Sequence, residues 1–338
     1  MATFKGYKLR FRDGLHIDAG GFGMENTTFG IASDTLMSAV CCCVKLLFGD
    51  DDVEKLLKID GAISSAFPFQ DDVLYFPKPL TVNSELEFKP YSDDKRFRKA
   101  RFLTNDVSKK QFSDCLKGEL SKEAFEENGI NVFPSTKGFM QITERPRIAI
   151  DNINLSTNIF PFAELTFKRD RQKKEEPNEE YEKYVGLNCG LFFLTDFQDP
   201  SVLTSIFEPA LHLLGDEGIG ADGTIGKGLF EVEPFDYTID LPDNANAHLL
   251  LSLYNPKDTE INDLDMDKSI YDLVVRNGWI SSGSWETRRR SVRMMREGSV
   301  LSFKNNNKPI GHAPIVVQDT NIRRWGHAFT LPIKIKEQ

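Results

Sequence analysis

Six glycines crowd residues 214–229, at positions 215, 218, 220, 223, 226 and 228, with Lys227 between the last two. Glycine buries no side chain and loses the most backbone entropy on ordering, so such a run needs a reason. Two readings stand. Either the run is a flexible connection, or its bare N–H groups and Lys227 approach a phosphate chain closely. The flanks exclude two other phosphate sites. A helical pattern (200–214) precedes the glycines and a strand pattern (228–235) follows them, whereas a dinucleotide fingerprint follows a strand and opens a helix. There is no Gly-Lys-Ser/Thr phosphate loop either.

His16 lies between a basic, strand-like segment and the loose run Gly20-Gly21-Phe22-Gly23. Its imidazole suits a phosphate or base contact, or general-base work on a ribose 2′-OH. Such a ribonuclease also needs a second acid or stabiliser, and none is evident. Arg145 and Arg147 flank Pro146, which holds the segment extended; they pair either with Glu144 and Asp151 or with RNA. Arg288, Arg289 and Arg290 follow Trp285 and offer phosphate contacts beside a stacking ring, or an exposed turn. Phe160 and Phe162 are core residues or a wedge between bases. Asp34, in the first turn of an apolar helix, suits the helix dipole. His212 is expected to be packed in its apolar helix, and His248, His312 and His327 have no evident partner. No Cys-x-x-Cys pair or histidine cluster suggests a metal, and no cofactor is expected. Cys41, Cys42, Cys43, Cys115 and Cys189 are expected to be reduced and mostly packed.

The 338 residues suffice for two domains with cores. No run of eighteen apolar residues and no signal-peptide pattern occur, so a cytoplasmic protein without membrane contact is expected. The net charge of −9 argues, alone, against nucleic acid, but it does not say where the charge lies. Basic clusters stand at 95–101, 168–174 and 288–296, apart from acidic runs at 50–52 and 175–180. This pattern points to a polyanion partner.

Residues 4–12 alternate apolar and basic, predicting a strand with one buried and one positive face. Ser33 is the expected cap of a buried helix over 34–48, ended by Gly49. Val73–Pro79 reads as an edge strand because of its prolines, and 116–135 as a short charged helix and loop. Residues 143–151 and 156–167 predict a long hairpin, with Pro146 at an edge or bulge. A buried strand at 185–195, the helix of 201–214, the glycine loop and a strand complete the order strand–helix–strand–strand–helix–strand, a ferredoxin-like pattern. That order recurs partly after Pro242, with a strand at 248–254 and a helix ending at Arg276. The expected fold class is α+β: two tandem ferredoxin-like (RRM-like) domains with a glycine-rich loop and a long inserted hairpin. Residues 1–240 form the first, with insertions at about 50–140 and the hairpin at about 141–168; residues 241–338 form the second.

With these residues placed, the chain resembles the RAMP superfamily of CRISPR proteins. It looks most like the Csm-complex subunit that caps the 5′ end of the guide RNA in type III-A effectors. The resemblance rests on Leu15-His16-Ile17, the run 33–39 (SDTLMSA), 145–151 (RPRIAID) and 218–228 (GIGADGTIGKG). It continues through Asn277-Gly278-Trp279, Arg289-Arg290, Met294, 298–300 and 324–329 (RWGHAF). It implies a non-catalytic RNA-binding scaffold in antiviral defence, holding the 5′ tag of the guide RNA (crRNA) near the target RNA duplex. Its partners would be the large polymerase-like subunit and the backbone RAMP subunits. The implied RNA-binding residues are His16, Ser33, Arg145, Arg147, Gly218, Gly220, Gly223, Gly226, Lys227, Gly228, Arg288, Arg289 and Arg290. Many relatives carry histidine where this chain has Ala32, which weakens the alternative of a metal-independent endoribonuclease maturing the guide.

Overall fold

The computed structural model describes residues 1–18, 24–81, 100–105, 110–119, 138–151, 153–154, 156–171, 184–186, 188–282, 285–305, 307–318 and 320–335. At 169–171, 184–186, 279–282 and 285–287 only the backbone is described. The glycines at 20–23, most of the basic cluster at 95–101, the expected charged helix beyond 119 and the charged stretch 172–183 lie outside these residues.

The main sheet is built from β1 (Ala2–Phe11), β2 (Gly61–Ile63), β3 (Phe67–Gln70), β4 (Val73–Pro77), β5 (Phe102–Asn105), β10 (Cys189–Phe197) and β11 (Phe230–Ile239). Its order is β11-β1-β10-β3-β4-β5, with β2 also on β10 and every pairing antiparallel. Strand β1 therefore lies between β11 and β10, with β3 beyond. Two helices, α1 (Ser33–Phe48) and α4 (Glu208–Glu217, entered through a π-turn at Leu203–Phe207), cover one face. Helix α1 buries Leu36, Met37, Val40, Cys43 and Val44, the i, i+3, i+4, i+7 stripe of a helix facing a sheet. The Tyr7 hydroxyl donates to Glu208 at 2.7 Å, tying β1 to α4.

The opposite face is also covered. A three-stranded sheet, β17 (Val300–Leu301), β12 (Ala247–Leu250) and β18 (Thr330–Ile333), and helix α3 (Gln111–Lys117) share a second core with it through Phe76, Phe112, Phe192, Leu249 and Leu331. Each fully buried large apolar side chain contributes roughly 1.5–3 kcal/mol. Both faces of the main sheet are thus apolar. The architecture is α+β with antiparallel sheets.

Several expectations are corrected. Strand β1 carries no free positive face, because Lys5, Arg10 and Arg12 pair with Asp236, Glu233 and Glu231 on β11. Strand β4 lies inside the sheet, flanked by β3 and β5; its Pro77 is tolerated as the last residue of the strand. Residues Leu273–Arg276, expected to end a helix, form strand β13, paired with β16 (Val292–Met295). Two valines and a leucine favour the extended form once a partner strand is present. Ser33 does not cap α1; Ala32 holds that position without a side-chain bond. His212 is exposed.

The hairpin forms as expected, from β6 (Met140–Ile150) and β7 (Thr157–Phe167). In a two-stranded ribbon both strands are edges, so Pro146, opposite Pro161, removes no bond from a central ladder. Leu15 and Leu165 exchange backbone bonds at 2.9 and 2.7 Å and moor its base. Ile148, Ile150, Ile153 and Ile159 stand exposed toward its far end.

Histidines 248 and 327 give the fold an acid sensitivity. Burial, aided by Lys308 for His248 and by Lys257 and His312 for His327, pushes each imidazole down to about 4. An unfolded histidine titrates near 6.5, so between those values the unfolded chain binds protons that the folded chain refuses. Stability is therefore greatest above about pH 6.5 and falls as pH drops toward 4, by at most roughly 3 kcal/mol per group. A His248→Gln/His327→Gln chain should show a flatter melting temperature between pH 7 and 4.5. An unchanged slope would mean that these rings do not set it.

Candidate nucleic-acid interface

The glycine loop leaves α4 at Gly218, whose N–H bonds to Leu214 O at 2.8 Å, and folds back on itself. Ile219 N–H reaches Gly228 O at 3.0 Å, and Lys227 N–H reaches Asp222 O at 3.2 Å. It then docks on the segment after β1. Ala221 N–H donates to His16 O at 3.0 Å and Gly228 N–H to Gly14 O at 3.1 Å. A Cβ on Gly220 would sit 2.3 Å from His16 O, and one on Gly228 only 2.0 Å from Ile219 O, with φ of +95° and +72°. Packing accounts for these two glycines. The idea that the loop's N–H groups are generally bare is corrected, since those of Gly218, Ile219, Ala221, Ile225, Gly226, Lys227 and Gly228 are used inside the protein.

The charged residues expected at RNA converge on this loop, but with internal partners. Lys227 lies 3.1 Å from both Asp13 and Glu164. Arg145 pairs with Glu164 at 3.6 Å, and Arg147 pairs with Asp222 while lying 3.5 Å over the Phe162 ring. The partners are neither Glu144 nor Asp151, because β6 faces β7 and the loop rather than its own neighbours. Phe162 is core, and its ring lies 4.8 Å from that of His16. His16 Nδ1 sits 2.7 Å from the Ala163 carbonyl, an acceptor only, so Nδ1 carries the proton.

Opposite the loop stand Arg276 and Arg324, two arginines that sequence reasoning did not single out. Asp34 receives Nε and NH2 of Arg276 at 3.0 Å each and a bond from Arg324, whose other NH2 donates to Asn277 O at 3.0 Å. Burial alone would raise the Asp34 carboxyl, but the two guanidiniums hold it below the usual carboxylate range. The Ser33 hydroxyl accepts from Leu253 N–H at 3.0 Å, so Ser33 is a bond between the two halves of the chain and, fully buried, offers RNA nothing. Arg276 and Arg324 were legible only as a charge ending an apolar run and as the first residue of RWGHAF.

Between these two walls lies a cleft of about 610 Å³, lined by His16, Asp34, Gly220, Arg276, Arg289 and Arg324 among others. Of the expected residues, His16, Gly220 and Arg289 meet here. Arg288 and Arg290 are exposed outside it, Gly223 opens an exposed 3₁₀ turn beside it that the half-buried Gly226 closes, and Gly218, Lys227 and Gly228 brace the loop from behind. No helix among the described residues is long and apolar enough to cross a membrane.

Comparison with known proteins matches residues 243–333 to the family model "CRISPR Csm4 C-terminal domain". The CRISPR system protein Csm4 of Thermococcus onnurineus (strain NA1) is 28% identical over 318 residues, covering 90% of this chain and 92% of that protein. The fold resembles that in a crystal structure of a Csm1–Csm4 cassette with cA4 (TM-score 0.63, 21% identity, 100% of both chains). It also resembles a Csm3–Csm4 subcomplex of a type III-A interference complex (TM-score 0.58, 18% identity, 98% of this chain and 100% of that one).

Proposed function

We propose that this chain, which is similar to Csm4 proteins of CRISPR systems, is a non-catalytic, RNA-binding RAMP-superfamily scaffold of a type III-A effector. It holds the 5′ tag of the guide RNA and bridges the large, polymerase-like subunit to the backbone RAMP subunits. The observation that carries this reading is the arginine-lined cleft between the glycine loop and the second half of the chain. Its walls combine a side-chain-free backbone at Gly220 with fixed guanidiniums, which suits a single strand threading between them. The partners follow from the complexes in which similar proteins occur. We take 1–240 as a ferredoxin-like RAMP domain, 241–338 as a reduced second copy, and the hairpin as reaching toward the guide–target duplex with its exposed isoleucines.

In the assembled complex, photocrosslinking from the 5′ end of co-purified guide should map to His16–Asp18, Gly220, the strand carrying Arg276 and the segment at Arg289. Crosslinks confined to another face would overturn the reading.

The same geometry argues against catalysis by His16. Its ring is 5% exposed, bonded to Ala163 and packed on Phe162. A His16→Ala complex loaded with guide should mature and cut RNA as the parent does, whereas a positioned general base would have supplied about 10² to 10⁴ in rate. A fully loaded variant that fails to cut would restore the nuclease alternative.

A further inference from the structure

The cleft contains one unmatched cation beside a paired one, and its chemistry is more specific than a basic patch. Three arginines against two aspartates, Asp34 and Asp18, leave one positive charge among the lining residues. Arg276 and Arg324 are committed to Asp34. Among the described residues no ion pair holds Arg289, and its guanidinium is lowered by burial and then by the neighbouring Arg324 charge. The Nε groups of Arg289 and Arg324 are both buried without a hydrogen-bond partner among the described residues. Arg324 is itself 5% exposed. A buried guanidinium N–H left without an acceptor is costly, the more so beside a second cation. One charge in excess, on the half-buried Arg289 beside a second guanidinium, describes a receptor for one monoanion.

We propose that Arg289 and Arg324 form a subsite for one internal phosphodiester of single-stranded RNA, opposite Gly220. The proposal rests on the RNA-binding reading and specifies which contact fixes the strand's register. A monoanionic diester matches the single excess charge, whereas a terminal monoester would bring about one charge too many. Planar guanidiniums present paired donors suited to phosphate oxygens. The surroundings favour a strand over an acidic side chain of a partner protein. Ile17, Asp18 and Arg276 also line an adjoining groove of about 430 Å³ that sets Lys78, Arg101 and Arg296 against Asp272 and Glu297, with Arg296 paired to Asp272. A positive balance of one charge thus continues past the subsite, which a strand with a second phosphate uses and a lone carboxylate does not.

The test uses the reconstituted complex and guide RNAs in which one tag phosphodiester at a time is a neutral methylphosphonate. With the parent chain, one linkage should lower loading affinity by about tenfold or more, the scale of a charge-assisted hydrogen bond. Arg289→Gln should lower loading similarly, become indifferent to that linkage, and reduce the salt slope by roughly 0.7. Arg289→Lys should recover part of the loss, and thermal melts of both variants check folding independently. If every linkage affects parent and Arg289→Gln alike, the subsite is wrong while the RNA-binding reading stands. If Arg289→Gln loosens subunit association but not guide loading, the occupant is an acidic protein segment and the proposal falls. If loading is insensitive to every tag linkage in the parent, both fall.

Discussion

Replacing Asp34 with alanine is expected to destabilise the chain by about 3–5 kcal/mol, because it strands two buried guanidiniums without their counter-charge. Asp34 is wholly buried, Arg324 nearly so, and Arg276 joins them from β13, so the triad links the first turn of α1 to the second half of the chain. The relevant cost is that of breaking the network; replacing all of it with apolar residues of similar volume is often neutral. A double variant, Asp34→Ala with Arg276→Met, should therefore lose less than the sum of the two single changes. Denaturant unfolding of the purified chain checks both statements. A loss below about 1 kcal/mol for Asp34→Ala would mean that water reaches the triad and that it behaves as a surface pair. Guide loading should fall with it, since Arg276 and Arg324 line the cleft.

Gly220→Val is expected to detach the glycine loop from the segment after β1 and reduce guide occupancy of the assembled complex by tenfold or more. Its Cβ would land on the His16 carbonyl at a positive φ, and strain of that backbone kind costs on the order of 1–3 kcal/mol before any clash is counted. Gly226→Ala is the matched comparison. Its φ is also positive, at +82°, yet its Cβ meets nothing within 4 Å, so it carries the backbone strain alone. Hydrogen exchange at Ala221 and Gly228, whose amides dock on His16 and Gly14, should rise in the first variant and change little in the second. Equal occupancy in both would show that docking of this loop is irrelevant to loading. Substituting Gly220 is thus a change of fold at the site, not a probe of bare backbone in an otherwise intact loop.

Local pattern sufficed for much of this molecule. The apolar stripe of α1, its stop at Gly49, the hairpin from 140 to 167 and the helix–glycine–strand order around 214–229 are properties of short segments, and their periodicity is visible without neighbours. His16, the glycine loop and Arg289 were each legible as motifs read in order, but not that they meet in one cleft. What the charged side chains do there was not legible either. Lys5, Arg10, Arg12, Arg145, Arg147 and Lys227 look like free cations along the chain, and each finds a carboxylate on another strand or loop. Asp34 likewise looks like a helix-dipole partner, until residues 242 and 290 positions later supply its counter-charges. Pairing between such remote residues depends on which strands are neighbours, and strand adjacency is decided by burying both faces of the main sheet. Helix type, turn position and apolar face were therefore determined by the sequence near each residue, whereas the balance of charge in the cleft was decided only when the two halves packed together.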